Sequence, residues 1–385
     1  MSDGSRSLPT YREDDHASSR VMKLEEEEML TQQKAIMNCA TVPALSFGIF
    51  DHLDHAGGSV RQQYSDRLEI AAACDEAGFR AYHVAEHHGT PHGLAASPNL
   101  FLSAVAQRTR RLRLGPLVML LNLYHPLRAF EEICMLDQLS GGRLDLGIGR
   151  GAVPLELSFF GVSPAEAQDR YSEAAEIILK AMETDTLTYS GRHFSISDVP
   201  ITLSPIQKPY PPLWYGAMKP ETARWAAQNS INIACVGKSS SIRVITDAYR
   251  AHWSGRPAQV MPLLGMVRIV VVAGSDAEAR ALAAPAYARW FKTFTFLSRI
   301  GNLPVPPNLP KSFEQALDDG FCLVGSPSTV REKLNSQVVE SGVTYVMCQL
   351  AFGDLPLTAS LQTISAMRST IIPDFTRQVR AQHKE

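Results

Sequence analysis

Leu136-Asp137-Gln138-Leu139-Ser140-Gly141-Gly142-Arg143-Leu144-Asp145-Leu146-Gly147-Ile148-Gly149-Arg150-Gly151 reads as the end of a helix, a Gly-Gly turn, one short strand and a glycine-rich exit. Glycine accepts positive φ without steric cost, so Gly141-Gly142 suits a helix C-cap. Strand side chains alternate between faces, so Leu144, Leu146 and Ile148 share one side and Asp145 joins the glycines on the other. The exit Gly149-Arg150-Gly151 brings bare backbone and one guanidinium to a single place. That combination suits an anion such as a phosphate. A tight turn with its arginine in solvent fits the same residues.

Outward from this stretch the chain alternates. Upstream, apolar strands are predicted at 45–50, 81–85 and 112–121, with helices at 60–77, at 99–109 and from His125-Pro126 onward. Between the first strand and its helix lies the polar, glycine-rich loop 51–58. Downstream come a helix at 164–183 and a long excursion at 186–212 with a hairpin around 189–194. Strands follow at 213–217, 231–236, 263–273 and 343–350, with helices from 220 and at 240–253, 276–297, 326–341 and 357–367. The Pro-rich residues 301–310 read as an insertion able to lid a site. The strands are apolar runs, as expected when both faces are covered. Repeated strand–helix units mean a parallel sheet, and eight of them over this length predict a (β/α)8 TIM barrel.

The barrel is expected over 42–373, after an N-terminal arm over 1–41 that is disordered or loosely docked, and before a tail over 374–385. The arm carries Glu25-Glu26-Glu27-Glu28 and lacks the basic start and apolar core of a secretory signal. A formal charge of −2 on 385 residues gives no electrostatic case for nucleic acid. No run approaches the ~18 apolar residues of a membrane helix. Six cysteines without a CxxC pair fit a reduced, cytoplasmic protein.

Barrel chemistry sits at the strand C-terminal ends. Here these ends carry Glu86-His87-His88, Leu121-Asn122, Gly149-Arg150-Gly151, Gly216-Ala217 and Gln349. Neighbouring strand residues point to opposite faces, so His87 and His88 do not easily reach one ion, and no HExxH spacing exists. No metal is expected. The histidines fit either action on a bound cofactor or substrate, or a structural pair at a loop. Pro220-Glu221-Thr222 starts a helix whose dipole and N–H groups favour a phosphate; an ordinary capped helix fits as well. Arg170 offers a second positive group or a solvated face, and Asn122 a polar ring contact or a turn.

Ala85-Glu86-His87-His88, Arg108-Thr109 with Arg111-Leu112-Arg113-Leu114-Gly115, His125-Pro126 and the opening stretch together resemble the bacterial luciferase-like monooxygenase family. Pro205, Gln207, Pro209 and Pro211-Pro212, then Trp225-Ala226-Ala227 and Val324-Gly325-Ser326-Pro327, extend the likeness over about 45–373. The resemblance implies a TIM barrel that binds reduced FMN delivered by a separate flavin reductase. Oxygen then forms a flavin peroxide that oxygenates a small organic substrate. His87 matches the catalytic histidine, suited to proton transfer near neutrality. Arg150 matches the phosphate-gripping arginine and Arg170 a second one, and Lys219, Glu221 and Thr222 match the rest of the cradle. Glu86, Asn122, Gly149, Gly151, Gly216, Ala217 and Met218 fall at the same cofactor-side positions, and Leu117-Val118 matches a non-proline cis peptide under the flavin.

Two departures argue against light emission: a reactive cysteine of luciferase α subunits is replaced by Gly149, and residues 217–220 differ from that subunit. The subgroup sharing Glu-His-His implies a hydrophobic substrate. Trp214, Tyr215, Phe291, Phe294 and Phe296 are candidates to line its pocket or to be ordinary core. The family commonly pairs as a homodimer. Three readings compete: a deazaflavin-dependent oxidoreductase on the same fold, a non-catalytic flavin binder, and a metal-dependent hydrolase built on Glu86, His87, His88 and His92.

Overall fold

The computed structural model describes residues 43–255 and 259–375. The arm expected over 1–41 and residues 376–385 of the tail lie outside the described residues. In chain order the elements are β1 Ser46–Asp51, α1 Val60–Ala77, β2 Ala81–Val84, α2 Pro98–Arg108, β3 Arg113–Pro116, β4 Met119–Leu120, α3 Pro126–Ser140 and β5 Leu146–Gly149. Next come α4 Pro154–Ser158, α5 Ala167–Ala181, β6 Thr186–Ser190, β7 Ser195–Pro200, β8 Leu213–Gly216, α6 Pro220–Gln228, β9 Asn232–Cys235 and α7 Ser239–His252. The last are β10 Leu264–Val272, α8 Asp276–Phe294, α9 Phe296–Ile300, α10 Phe313–Asp318, β11 Cys322–Gly325, α11 Pro327–Ser341, β12 Tyr345–Gln349 and α12 Leu357–Ala366.

Ten strands share one sheet in the order β3-β2-β1-β12-β10-β9-β8-β5-β4, with β11 attached to β10 off that path. Counting β3 and β4 as one stave and setting β11 aside, the ten give eight staves. The pairings are parallel. The ring closes where β4 meets β5, with Met119 opposite Ile148 and Leu120 opposite Gly149, and where Leu114 bridges to Leu144. The fold is the expected TIM barrel. Its helices pack outside, and no helix among the described residues is long and apolar enough to cross a membrane.

The structure revises several element bounds. Strand three was expected to run unbroken over 112–121; it is split into β3 and β4, and the Leu117-Val118 peptide between them is cis. β11 was not foreseen. The helix expected over 276–297 ends at Phe294, and Thr295 separates it from α9. The hairpin is present as β6–β7, antiparallel. The proline-rich segment 301–310 follows α9 and is anchored at its far end, where Tyr287 donates to the Pro310 carbonyl at 2.6 Å.

Two layers of core explain the stability of the barrel. Leu, Ile, Val and Phe side chains fill the space between staves and helices. Inside the ring, Leu117, Trp214, Val267, Tyr345 and Met347 pack on one another. Glycine makes room for them: a Cβ at Gly48 would lie 1.6 Å from Tyr345 Oη. Trp214, a pocket candidate by sequence, is therefore an interior residue with no exposed surface.

The opening stretch knits the floor of the barrel. Gly141 caps α3 at φ 68°, its N–H reaching the carbonyls of Asp137 and Gln138. Buried Asp137 accepts from the Gln207 backbone N–H at 3.0 Å and from its side-chain amide at 2.8 Å. Arg143 donates to Thr109 Oγ1 and to the Leu112 and Ala106 carbonyls. Arg113 donates to Asp145 at 2.7 Å and to the Leu144 carbonyl at 2.8 Å.

Candidate functional site

At the opposite face, β4, β5 and β8 and the start of α6 enclose a cavity of about 730 Å3. That size lies within the range of small-molecule sites. Its walls include Val118, Gly149, Arg150, Gly151, Gly216, Met218, Lys219 and Thr222, together with Tyr215 and Trp225. The glycines shape it. A Cβ at Gly149 would sit 2.4 Å from Val118 Cγ2, so only glycine lets these two strands approach. A Cβ at Gly216 would meet no atom within 4 Å, so a side chain there would stand in the cavity. α6 begins at this wall with Pro220 in its first turn. Its N-cap residue, Lys219, has no side-chain oxygen to cap the helix, which leaves the positive end of the helix dipole facing the cavity rim. Arg150 adds an exposed guanidinium. A planar group carrying one phosphate fits this combination of bare walls, two cations and a helix N-terminus.

The remaining expected cofactor residues stand behind this wall. Leu117 faces the barrel interior. The backbone N–H of buried Ala217 donates to the Ala234 carbonyl at 2.9 Å. Glu221 is exposed in the first turn of α6. Arg170 Nε donates to the Asn122 carbonyl at 2.9 Å, and its guanidinium lies over the Phe194 ring at 5.0 Å. Asn122 Nδ2 donates in turn to the Arg150 carbonyl at 2.7 Å. Arg170 and Asn122 thus hold the backbone that presents Arg150.

Glu86, His87 and His88 divide their work. Buried Glu86 accepts from the Leu120 N–H and the Tyr124 hydroxyl, each at 2.9 Å, and pairs with His88 Nε2 at 2.8 Å. It braces the start of the loop after β4. His87 turns the other way. Its Nδ1 lies 3.3 Å from Glu156 Oε1 on α4, and its side chain is 26 % exposed. Its ring stacks on His52 at 5.9 Å between centroids and lies 5.5 Å from His92. One ring nitrogen from each of His52, His87 and His92 lies within 4.8 Å of the others.

Burial, and second the nearby His87, hold the His52 pKa well below 6.5. Burial lowers His92 likewise, with His52 and His87 adding to it. Both are neutral rings near pH 7. Phe50, Trp290 and Phe294 pack edge-on against them, giving an apolar surround next to one partly exposed imidazole.

Sequence reading found His87 but missed two partners. His52 follows β1 directly, the one early strand end whose residues were read only as loop; its position at the C-terminal face was the available signal. Glu156, on a helix of five residues, gave no signal at all, because it lies 69 positions from His87. The trio of histidines also differs from the set Glu86, His87, His88 and His92 considered for a metal hydrolase: Glu86 and His88 are bound to each other, and His52 takes their place.

The comparisons bear on the family and the fold. The family model described as luciferase-like monooxygenase matches residues 45–345. A Sinorhizobium fredii protein called y4wF is 54% identical over 331 residues, covering 85% of this chain and 96% of that one. The oxygenase component of the flavin-dependent trigonelline monooxygenase of Acinetobacter baylyi is 28% identical over 193 residues, covering 49% of this chain and 53% of that one. Among solved structures, monooxygenase RslO1 from Streptomyces bottropensis superimposes with a TM-score of 0.75 at 26% identity, over 86% of this chain and 100% of that one.

Proposed function

The chain belongs to the luciferase-like monooxygenase family, and we propose that it uses reduced FMN and O2 to oxygenate a small, hydrophobic organic molecule. The observation that carries the reading is the cavity whose glycine walls, Arg150, Lys219 and α6 N-terminus suit a planar ring with one phosphate. When bound, the reduced flavin supplies the electrons with which O2 is activated. Arg150, Lys219 and the first turn of α6 hold the phosphate. Val118, Gly149 and Gly216 would flank the ring, and Tyr215 and Trp225 would wall its side. His87 moves the proton. Glu156 orients its Nδ1 edge, which leaves Nε2 for the exchange. Phe50, Trp290 and Phe294 packed against His52 and His92 make the surroundings of His87 apolar, which favours an apolar substrate.

A separate reductase supplying the reduced FMN is supported by the trigonelline relative, which is itself an oxygenase component. Exposed Leu100 on α2 and exposed Met135 and Leu139 on α3 support pairing of two copies through these helices, which sedimentation would test.

The decisive experiment is anaerobic titration with reduced FMN, followed by mixing with oxygen and candidate apolar substrates. Stoichiometric binding and oxygen-dependent product formation are expected. His87→Ala should retain binding and lose roughly 10²–10⁴-fold in turnover. Tighter binding of a deazaflavin than of FMN, or FMN binding with no oxygen-dependent turnover, would overturn the proposal.

A further inference from the structure

We propose that His52, His87 and His92 form a binding site for one divalent transition-metal ion of the Zn2+ class. The inference rests on these side chains alone, but an ion held here takes the His87 Nε2 that the proposed oxygenation uses for proton exchange, so the ion-loaded chain should lose oxygen-dependent turnover while the ion-free chain keeps it. One nitrogen of each ring already lies within 4.8 Å of the other two. A tetrahedral zinc site, with Zn–N bonds of about 2.0–2.1 Å, sets its nitrogens roughly 3.4 Å apart. The rings need to close by little more than 1 Å, roughly, to reach that spacing.

The surroundings are arranged as ligating histidines require. A metal-bound imidazole usually gives its second nitrogen to a carboxylate, a carbonyl or another polar group. Here Nδ1 of His87 faces Glu156 Oε1 at 3.3 Å. Nδ1 of His52 faces the Gln349 side-chain amide at 3.4 Å, and Nδ1 of His92 faces Thr293 Oγ1 at 3.4 Å. In each ring the Nδ1 edge is engaged and the Nε2 edge is left for the ion. His92 Nε2 is buried with no hydrogen-bond partner among the described residues. An orphaned buried ring nitrogen costs stability unless something binds it. Gln349 can turn its amide to present oxygen to His52 Nδ1, which fixes the tautomer a metal needs.

Three imidazoles without a carboxylate or thiolate suit Zn2+, Co2+, Ni2+ or Cu2+ and not Mg2+ or Ca2+. Three protein ligands leave a fourth position open. Phe50 and Phe294 pack edge-on against His52 and His92 beside the cluster, and His87 is its partly exposed member.

The test uses the full chain and Zn2+ alone, measured by equilibrium dialysis, with Co2+ as a spectroscopic probe. One ion per chain is expected, and Co2+ should give a visible ligand-field band that Zn2+ abolishes. His52→Ala, His92→Ala and the outer-shell variant Glu156→Gln should each weaken binding by about ten-fold or more. His88→Ala, which removes a ring paired with Glu86 outside the cluster, should not. Spectra of the unaltered chain labelled with 15N-histidine guard against variants that fail to fold: three ring systems should shift together on adding Zn2+. Less than one ion per chain, equal affinity in His52→Ala and His92→Ala, or a shift at a single histidine would each overturn the assignment.

Discussion

Asp137 and Arg150 stand thirteen residues apart by number, yet act at opposite ends of the barrel. Asp137 has no exposed surface and accepts twice from Gln207. Asp137→Ala leaves both of those N–H groups without an acceptor, and a buried donor left unpaired costs about 1–3 kcal/mol. Loss of about 2–4 kcal/mol is expected, read as a lower urea midpoint. Gln207→Ala in the same background should add a further loss, because its side chain also accepts from Arg113 at 2.9 Å and donates to the Leu144 carbonyl at 2.7 Å. Arg150→Ala should leave the midpoint unchanged, since the side chain is exposed, and should weaken reduced FMN by roughly ten-fold, the loss of one charge-assisted contact of about 1.5 kcal/mol. A titration of both variants separates floor from site. The sequence showed the stretch as one block. Its division was not legible, because the partner that makes Asp137 structural lies 70 positions away.

At the scale of elements, local chemistry was readable and pairing was not. Helix ends announce themselves within a few residues: Gly78, Gly141 and Gly342 sit in the left-handed region after α1, α3 and α11, and Ser326 accepts from the Thr329 N–H at the start of α11. The break in strand three has no such marker. β3 pairs with β2 on one side while β4 pairs with β5 on the other, so the segment serves two neighbours in turn. β11 escaped notice because four apolar residues before a helix look the same paired or unpaired. The junction of β4 with β5 yields a test. In Gly149→Ala the new methyl would meet Val118 Cγ2 at 2.4 Å, on a β-branched side chain with little freedom to yield. Overpacking of this kind costs about 1–3 kcal/mol, and the strands must part at the cavity wall. Lower thermal stability and weaker flavin binding are expected together. Val118→Ala combined with Gly149→Ala should restore most of the stability. Recovery of neither would mean that the backbone of Gly149, and not its contact with Val118, is what matters.

For the whole molecule, the eightfold strand–helix repeat was legible from periodicity, whereas the contents of the barrel were not, because Trp214, Tyr345 and His83 come from staves far apart in the chain. His83 has no exposed surface. Its Nε2 lies 3.0 Å from the Tyr345 hydroxyl, and burial lowers its pKa from 6.5 to about 4. Between those values the unfolded chain binds a proton there that the folded chain does not. The contribution of His83 is therefore fully present above pH ~6.5 and is lost as pH falls toward 4, on the order of 3 kcal/mol in all. Asp54 works in the opposite sense: burial pushes its carboxyl up to about 7, so its folded state gains a proton and stability falls as pH rises from ~4 to 7. The two slopes overlap in one window, and a melting curve of the native chain reads only their sum. His83→Gln separates them, since an amide keeps a hydrogen-bonding group for Tyr345 and does not titrate. The difference in unfolding free energy between native chain and variant should be flat above pH 7 and should shift in favour of the variant as the pH is lowered to 5. A difference independent of pH would mean that His83 binds its proton equally in the folded and unfolded chain, and that burial does not hold the ring neutral.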